Sequence, residues 1–218
     1  MPRYELVIFD WDGTLMNSTD HIVECLQNAA RDTGLPEPTA AAARHIIGLA
    51  LPLAIEQLFP GVDADLREVI RQRYAHHFIH GSDSKSALYP GAIELLEDLR
   101  ETGSLMAIAT GKSRLGLDRV LAQTGVGHFF AMTRCADETA SKPDPRMLHE
   151  ILAGTGVHPL QAVMIGDTSY DLEMARRIAM PSLGIRHGAH DESLLHPHAP
   201  LAVVDDLPGL RAHLWRAE

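Results

Sequence analysis

Six short runs of strand-type residues recur along this chain, and helical patterns separate most of them. The runs are YELVIF (4–9), SLMAIAT (104–110), FFAMTR (129–134), QAVMIGD (161–167), PSLGI (181–185) and PLAVVDD (200–206). Between them, GAIELLEDLRETG carries Ile93, Leu95, Leu96 and Leu99 on one broad side and ends at Gly103. SRLGLDRVLAQTG ends at Gly125, and DPRMLHEILAGTG places Met147, Leu148, Ile151 and Leu152 at helical spacing. Strands joined through helical crossovers lie parallel, and a parallel sheet buries both of its faces under helices. The expected class is α/β: a Rossmann-like parallel sheet with helices on both faces.

One stretch breaks the alternation. From about Met16 to Ser86 the pattern is helical, with no convincing strand. STDHIVECLQNAARDTG opens with a Ser or Thr suited to an N-cap and ends at Gly34. DLREVIRQRYAHHFIHG sets Leu66, Val69, Ile70, Tyr74 and Phe78 on one face, with arginines opposite. GSDSKSALYPG (81–91) reads as a linker back to the sheet. We therefore expect a core of residues 1–15 and 87–218, with residues 16–86 inserted as an all-helical domain directly after the first strand.

Charge narrows the partners. Among 218 residues, 19 Lys and Arg face 29 Asp and Glu, a net charge of −10. Nucleic acid and anionic membranes both call for a positive surface, so neither is the expected partner. No apolar run approaches the roughly 18 residues of a spanning helix. The first ten residues, MPRYELVIFD, contain acids and lack the apolar core of a signal peptide. Two cysteines, Cys25 and Cys135, form neither a disulfide framework nor a C-x-x-C metal motif. These features suit the cytoplasm.

The polar residues collect at strand ends, where ligands of open parallel sheets bind. Asp10 and Asp12 follow the first run, in LVIFDWDGTLMNS. Thr110, Gly111 and Lys112 close the second, and Gly166 and Asp167 close the fourth, with Asp171 four residues on. Lys142 stands in SKPDP, ahead of a helix. Several clustered carboxylates raise one another's pKa unless a cation intervenes, and an all-oxygen set suits Mg²⁺. Mg²⁺ with Lys142 would balance a dianionic phosphoryl group. Thr110, Gly111 and Ser113 lie where a strand runs into a helix N-terminus, placed to hold phosphate oxygens. Asp10 can then attack phosphorus. Asp12 can protonate the leaving oxygen and later deprotonate water. Gly13 permits the tight turn that exposes both acids.

DWDGTL, TGK (110–112), Lys142 in SKPDP, and GDTSYD (166–171) resemble, in order, the four motifs of the haloacid dehalogenase superfamily. The resemblance spans nearly the whole chain. It implies a nucleophilic Asp10, an acid/base Asp12, and Thr110 and Lys142 holding the phosphoryl group. It implies Mg²⁺ held by Asp10, the Asp12 main-chain carbonyl and Asp167. Asp171 would support the metal through water or by orienting Lys142, although it also suits the capping acid of its own helix. The inserted helices resemble the cap of phosphoglycolate phosphatases and β-phosphoglucomutases. RHIIGLALPLAIEQLFP (44–60), YPGAIELLEDL and TGKSRLGLDRVL are most similar to the phosphoglycolate phosphatase-like branch.

Three places depart from those patterns, the first being Trp11, where Phe, Leu or Met is more usual and the backbone role persists. Residue 111 is Gly where phosphoglycolate phosphatases often carry Asn. GLALPLA lacks the arginine that β-phosphoglucomutases place after the corresponding glycine, which counts against a mutase. Gly111, Lys112 and Arg44 are the candidate substrate contacts; Lys112 suits a solvated helix start equally, and Arg44 suits a surface role better than a contact with the substrate's far end. The 13 histidines, His76, His77 and His80 among them, fit a solvated or half-buried helix face better than a zinc site; His187 and His190 stay open as site neighbours.

The resulting expectation is a Mg²⁺-dependent phosphatase of a small phosphorylated metabolite, phosphoglycolate-like, acting as a monomer or homodimer. The rivals are a pyrophosphatase, a phosphomutase, a 2-haloacid dehalogenase, and a binding protein without catalysis.

Overall fold

The structure is a computed structural model, and it describes residues 1–80 and 86–216. Its centre is a six-stranded sheet, parallel throughout. The chain enters it at β1 (Leu6–Phe9), passes through the short β2 (Met16–Asn17), and runs into four helices. These are α1 (Thr19–Asp32), α2 (Ala40–His45), α3 (Leu51–Leu58) and α4 (Ala64–His80). It returns through β3 (Ala87–Leu88), and strand and helix then alternate. α5 is Ala92–Glu101, β4 Leu105–Thr110, α6 Arg114–Thr124, β5 Met132–Cys135 and α7 Arg146–Thr155. β6 (Ala162–Gly166), α8 (Ser169–Arg176), β7 (Ser182–Ile185) and β8 (Ala202–Val204) complete the sheet.

The strand order is β5-β4-β1-β6-β7-β8, so β1 lies between β4 and β6. The chain builds outward on one side of β1, then crosses back to the other. That reversal opens a crevice beyond the carboxyl ends of β4, β1 and β6. The period-2 alternation of strand side chains fixes the two faces. Val7 and Phe9 pack with Met106, Ile108 and α5 residues Leu95, Leu96 and Leu99. Leu6 and Ile8 pack with Ala107, Ala109, Met164 and α7 residues Met147, Leu148 and Ile151. Both strand faces being apolar explains why β1 and β6 read as continuous apolar runs.

The four inserted helices bury their own apolar clusters. Ile22, Leu26, Ala43, Ile47 and Ala54 form one, and Ala29, Ala30, Ile55, Phe59 and Ile70 another. No helix among the described residues is long and apolar enough to cross a membrane.

The details differ from expectation in three places. β5 begins at Met132, because Val126–Phe129 forms a 3-10 turn. β2 and β3 form a two-stranded antiparallel ladder at the junction with the helices, where no strand was expected. Val69 is 41% exposed, since α4 turns only Ile70 fully inward. Residues 81–85 of the expected linker (81–91) lie outside the described residues. Trp215 packs against the core, its backbone bridged to Pro2.

Candidate active site

β1 carries Asp10 to the crevice. Its main-chain N–H donates to the Ile165 carbonyl of β6 at 2.9 Å, which locks the strand end. Its Oδ1 accepts the Trp11 N–H at 2.6 Å and pairs with Lys142 Nζ at 2.7 Å. Its Oδ2 is buried and has no hydrogen-bond partner among the described residues. Lys142 is itself fully buried and reaches Asp171 Oδ1 at 2.6 Å. Asp171 Oδ2 accepts from the Thr168 hydroxyl at 2.6 Å and from its N–H at 3.2 Å. Asp171 therefore caps the N-terminus of α8 and pairs with Lys142.

Asp167 follows β6. Its Oδ1 accepts from the Thr14 hydroxyl and its Oδ2 from the Ala189 N–H, both at 2.7 Å. Glycines make its seat. A Cβ at Gly13, where φ is +82°, would lie 2.2 Å from Asp167 Oδ2, and one at Gly188 would lie 2.1 Å from it. Neither position tolerates a side chain without moving this carboxylate.

Asp10, Asp167 and Asp171 each offer a carboxylate oxygen, all within 4.8 Å of one another. Three buried acids face one buried lysine. Burial, outweighing the attraction of Lys142, holds the Asp10 carboxyl well above the usual range; Asp171 and Asp167 push the same way. Burial and then Asp171 raise Asp167 to about 7, against the Thr14 and Ala189 hydrogen bonds and the charge of Lys142. Burial pulls the Lys142 ammonium down, but Asp10 and Asp171 outweigh it and hold its pKa at about 12. The site carries surplus negative charge and an orphaned carboxylate oxygen, and all its donors are oxygen. That donor set fits Mg²⁺. Asp10 is the most available of the three, because its Oδ2 has no partner among the described residues, whereas both oxygens of Asp167 and of Asp171 are engaged.

Asp12 points elsewhere. Its carboxylate accepts from the Ser18 hydroxyl at 2.7 Å and pairs with Lys112 Nζ at 2.9 Å. Ser18 precedes α1 as an N-cap should, yet makes no side-chain cap, because its hydroxyl is spent on Asp12. Lys112 is partly buried at the site rather than solvated, and its ammonium also sits 4.5 Å over the Phe78 ring. Thr110, Gly111 and Lys112 line the same chamber as Asp10 and Asp12.

Arg44 is not in that chamber. The last turn of α2 aims it at Asp20 of α1, with which it pairs near the surface. It lines a separate polar cleft with His45, Arg186, His187 and His190. His77 pairs with Asp32 at 2.8 Å, and none of His76, His77 or His80 joins a metal-type cluster among the described residues.

The loop after α2 lies directly over the crevice. The Ala50 N–H donates to Ser141 Oγ at 2.9 Å, beside Lys142. The His45 carbonyl accepts from the Tyr170 hydroxyl at 2.9 Å and from His190 Nε2 at 3.0 Å. A Cβ at Gly111 would lie 2.5 Å from the Gly48 carbonyl oxygen, so the glycine lets the loop approach this closely. Sequence reasoning did not single out Thr14, Gly188 or Tyr170, nor the bond of Ser18 to Asp12 or this use of His190. Thr14 carried a signal as the Thr of DWDGT, and Ser18 one for a helix cap only.

Comparison with known proteins agrees with this architecture. Residues 7–185 match the haloacid dehalogenase-like hydrolase family. A phosphoglycolate phosphatase of Agrobacterium fabrum is 29% identical over 98% of this chain and 94% of its own length. A probable phosphatase, IndB, of Dickeya dadantii is 32% identical over 92% of this chain and 89% of its own. The crystal structure of a predicted phosphoglycolate phosphatase from Haemophilus somnus superposes with a TM-score of 0.86 at 22% identity, covering 94% of this chain and 96% of that one.

Proposed function

This chain belongs to the haloacid dehalogenase-like hydrolases, and from that membership we propose a Mg²⁺-dependent phosphatase that cleaves a small phosphate monoester through an aspartyl-phosphate on Asp10. One observation carries the reading. Asp10 stands at the end of the central strand with Oδ1 fixed by Lys142 and the Trp11 N–H, leaving Oδ2 unengaged. A carboxylate oriented through one oxygen and unencumbered at the other is prepared for nucleophilic attack.

Asp10 and Asp167, with the Asp12 main-chain carbonyl, would hold Mg²⁺. When bound, the metal would supply positive charge against the phosphoryl oxygens. Lys142 adds the second charge, and the Thr110 hydroxyl orients the group. Asp12 protonates the leaving oxygen, then deprotonates the water that attacks the aspartyl-phosphate. Ser18 and Lys112 hold that carboxylate in place. An attack on carbon would need no acid there, so this pairing favours a phosphatase over a dehalogenase. Residues 16–86 act as a cap that closes over the substrate and excludes water. The names of the relatives place 2-phosphoglycolate on any substrate panel. The expected setting is the cytoplasm, consistent with two buried free thiols whose pKa burial raises to about 12.

Removing the metal tests the reading. Phosphate release from small phosphate monoesters should require Mg²⁺ and stop in EDTA. Stability should follow the carboxylates. A carboxyl with a native pKa above its unfolded value binds its proton more tightly when folded. Its contribution is full at low pH and is lost as pH rises. For Asp167 the window runs from about 4 to about 7. In EDTA the Tm should fall across that window, and Mg²⁺ should restore it chiefly at the upper end. Release that is indifferent to EDTA, or a Mg²⁺ effect equal at both ends of the window, would count against the metal site.

A further inference from the structure

The chamber above Asp10 encloses about 440 Å³ between the inserted helices and the sheet edge, more than a phosphoryl group fills. That volume lies in the range of pockets that hold small organic ligands, so the leaving group has to occupy part of it. Three cations line the chamber, and they are engaged differently. Lys112 is paired with Asp12. Arg71 is forked onto Glu68 by hydrogen bonds of 2.7 and 2.6 Å. Arg119 of α6 has no carboxylate partner among the described residues. Its Nη2 makes one long hydrogen bond, 3.4 Å, to the Ile79 carbonyl in the last turn of α4. Its Nη1 is buried without a hydrogen-bond partner among the described residues.

A charged donor left unpaired inside a protein is costly, and folded chains provide a partner for nearly all of them. An anion carried by the ligand would supply the partner missing here. Position narrows which anion. Ser113 caps α6, and Arg119 stands six residues on, about 9 Å along the helix axis. The second anion is therefore set apart from a phosphoryl group held at the start of α6, not joined to it as in pyrophosphate. The chamber wall beside it is apolar, with Ile22, Leu26, Ile47, Tyr74 and Phe78, and suits the carbon chain between the two charges. Charge narrows the choice further. Asp12 and Glu68 neutralise the other two cations, so one guanidinium has to balance the group alone. A carboxylate, a planar monoanion, matches it.

Resting on the phosphatase reading above, we propose that Arg119 selects the leaving group by pairing with a carboxylate that the departing alcohol carries. The preferred substrate is then the phosphate monoester of a hydroxy acid, and Arg119 is a specificity residue that takes no part in the chemistry. Arg119 lies at the seam between α6 of the sheet domain and α4 of the inserted helices. An entering acid meets the guanidinium while the cap stands apart, and the closing cap covers the pair.

The test is kcat/KM of the full chain with Mg²⁺ for 2-phosphoglycolate, 3-phosphooxypropanoate and 4-phosphooxybutanoate, each against the neutral ester of equal chain length, ethyl, propyl or butyl phosphate. Wild type, Arg119→Met and Arg119→Lys are compared. For the best of the acids, the acid-to-neutral ratio should fall at least about tenfold in Arg119→Met, the scale of one charge-assisted hydrogen bond, and recover in part in Arg119→Lys. Comparing the ratio between proteins cancels the intrinsic reactivity of the esters. An arginine that merely pins α4 to α6 would slow acid and neutral esters together and leave every ratio unchanged. Calorimetry reads the same pairing without turnover: 3-phosphonopropionate should lose its advantage over propylphosphonate in Arg119→Met. Ratios that do not depend on Arg119 overturn this proposal and leave the phosphatase standing. Release from none of the esters by wild type overturns the phosphatase reading, and this proposal with it.

Discussion

Asp10→Asn should leave a folded protein that releases phosphate at least about 10⁴-fold more slowly than wild type, the scale on which loss of a nucleophile is felt. An amide keeps the shape of the side chain and the contact with the Trp11 N–H, but cannot bond to phosphorus as a carboxylate does. The substitution should not unfold the protein. Asp10 is held above its usual pKa by burial and by Asp171 and Asp167, so its charge strains the fold. In EDTA the Tm of the variant should equal or exceed that of wild type, while the stabilisation given by Mg²⁺ shrinks. Circular dichroism and phosphate release on the same preparation check this. Activity within about tenfold of wild type would remove Asp10 from the nucleophile's role.

Lys142→Ala has the second largest expected effect, and it acts on activity and stability together. Loss of one charge-stabilising donor costs about 10²–10³ in kcat. The same change leaves Asp10 and Asp171 buried with no cation between them, 2.7 and 2.6 Å from where the ammonium stood. Breaking a buried ion pair on one side costs about 3–5 kcal/mol. Lys142→Met separates the causes, because it fills the space without restoring the charge. It should lose as much activity as Lys142→Ala and recover part of the stability. Both variants should be less impaired in stability at low pH, where the orphaned carboxyls take up protons. Rates near wild type for either variant would show that Lys142 does not face the phosphoryl group.

The sheet and much of the site were legible for one physical reason. A buried parallel strand must be apolar on both faces, so LVIF, LMAIAT and AVMIG announce themselves, and the first polar residue after each marks the sheet edge. Asp10, Thr110 and Asp167 were found in this way. Topology then does what sequence cannot: β1 lies between β4 and β6, which brings those three residues together. β5 was read too early because it is an edge strand, half-buried, and Phe129 and Phe130 before it are as apolar as the strand itself.

Other features stayed illegible because they depend on the approach of distant loops. Nothing in RHGAH marks Gly188 as the floor under Asp167 or the Ala189 N–H as its partner. Ser18 looked like a helix cap, and only the turn of the chain after β1 shows that its hydroxyl serves Asp12. Arg44 sits close in sequence to the loop that covers the site, yet helix geometry sends it away, towards Asp20. Lys112 was ambiguous at a helix start until Asp12 and Phe78 were seen around it.

The central claim is that the phosphoryl group passes through Asp10. The most direct measurement is to quench turnover with borohydride, which reduces an acyl phosphate to the corresponding alcohol, and to locate the modified residue by peptide mass spectrometry. With Mg²⁺ and a substrate that the enzyme cleaves, the account predicts homoserine at position 10, absent without substrate. Modification at another carboxylate, or an unmodified Asp10 in a sample that is releasing phosphate, would contradict it.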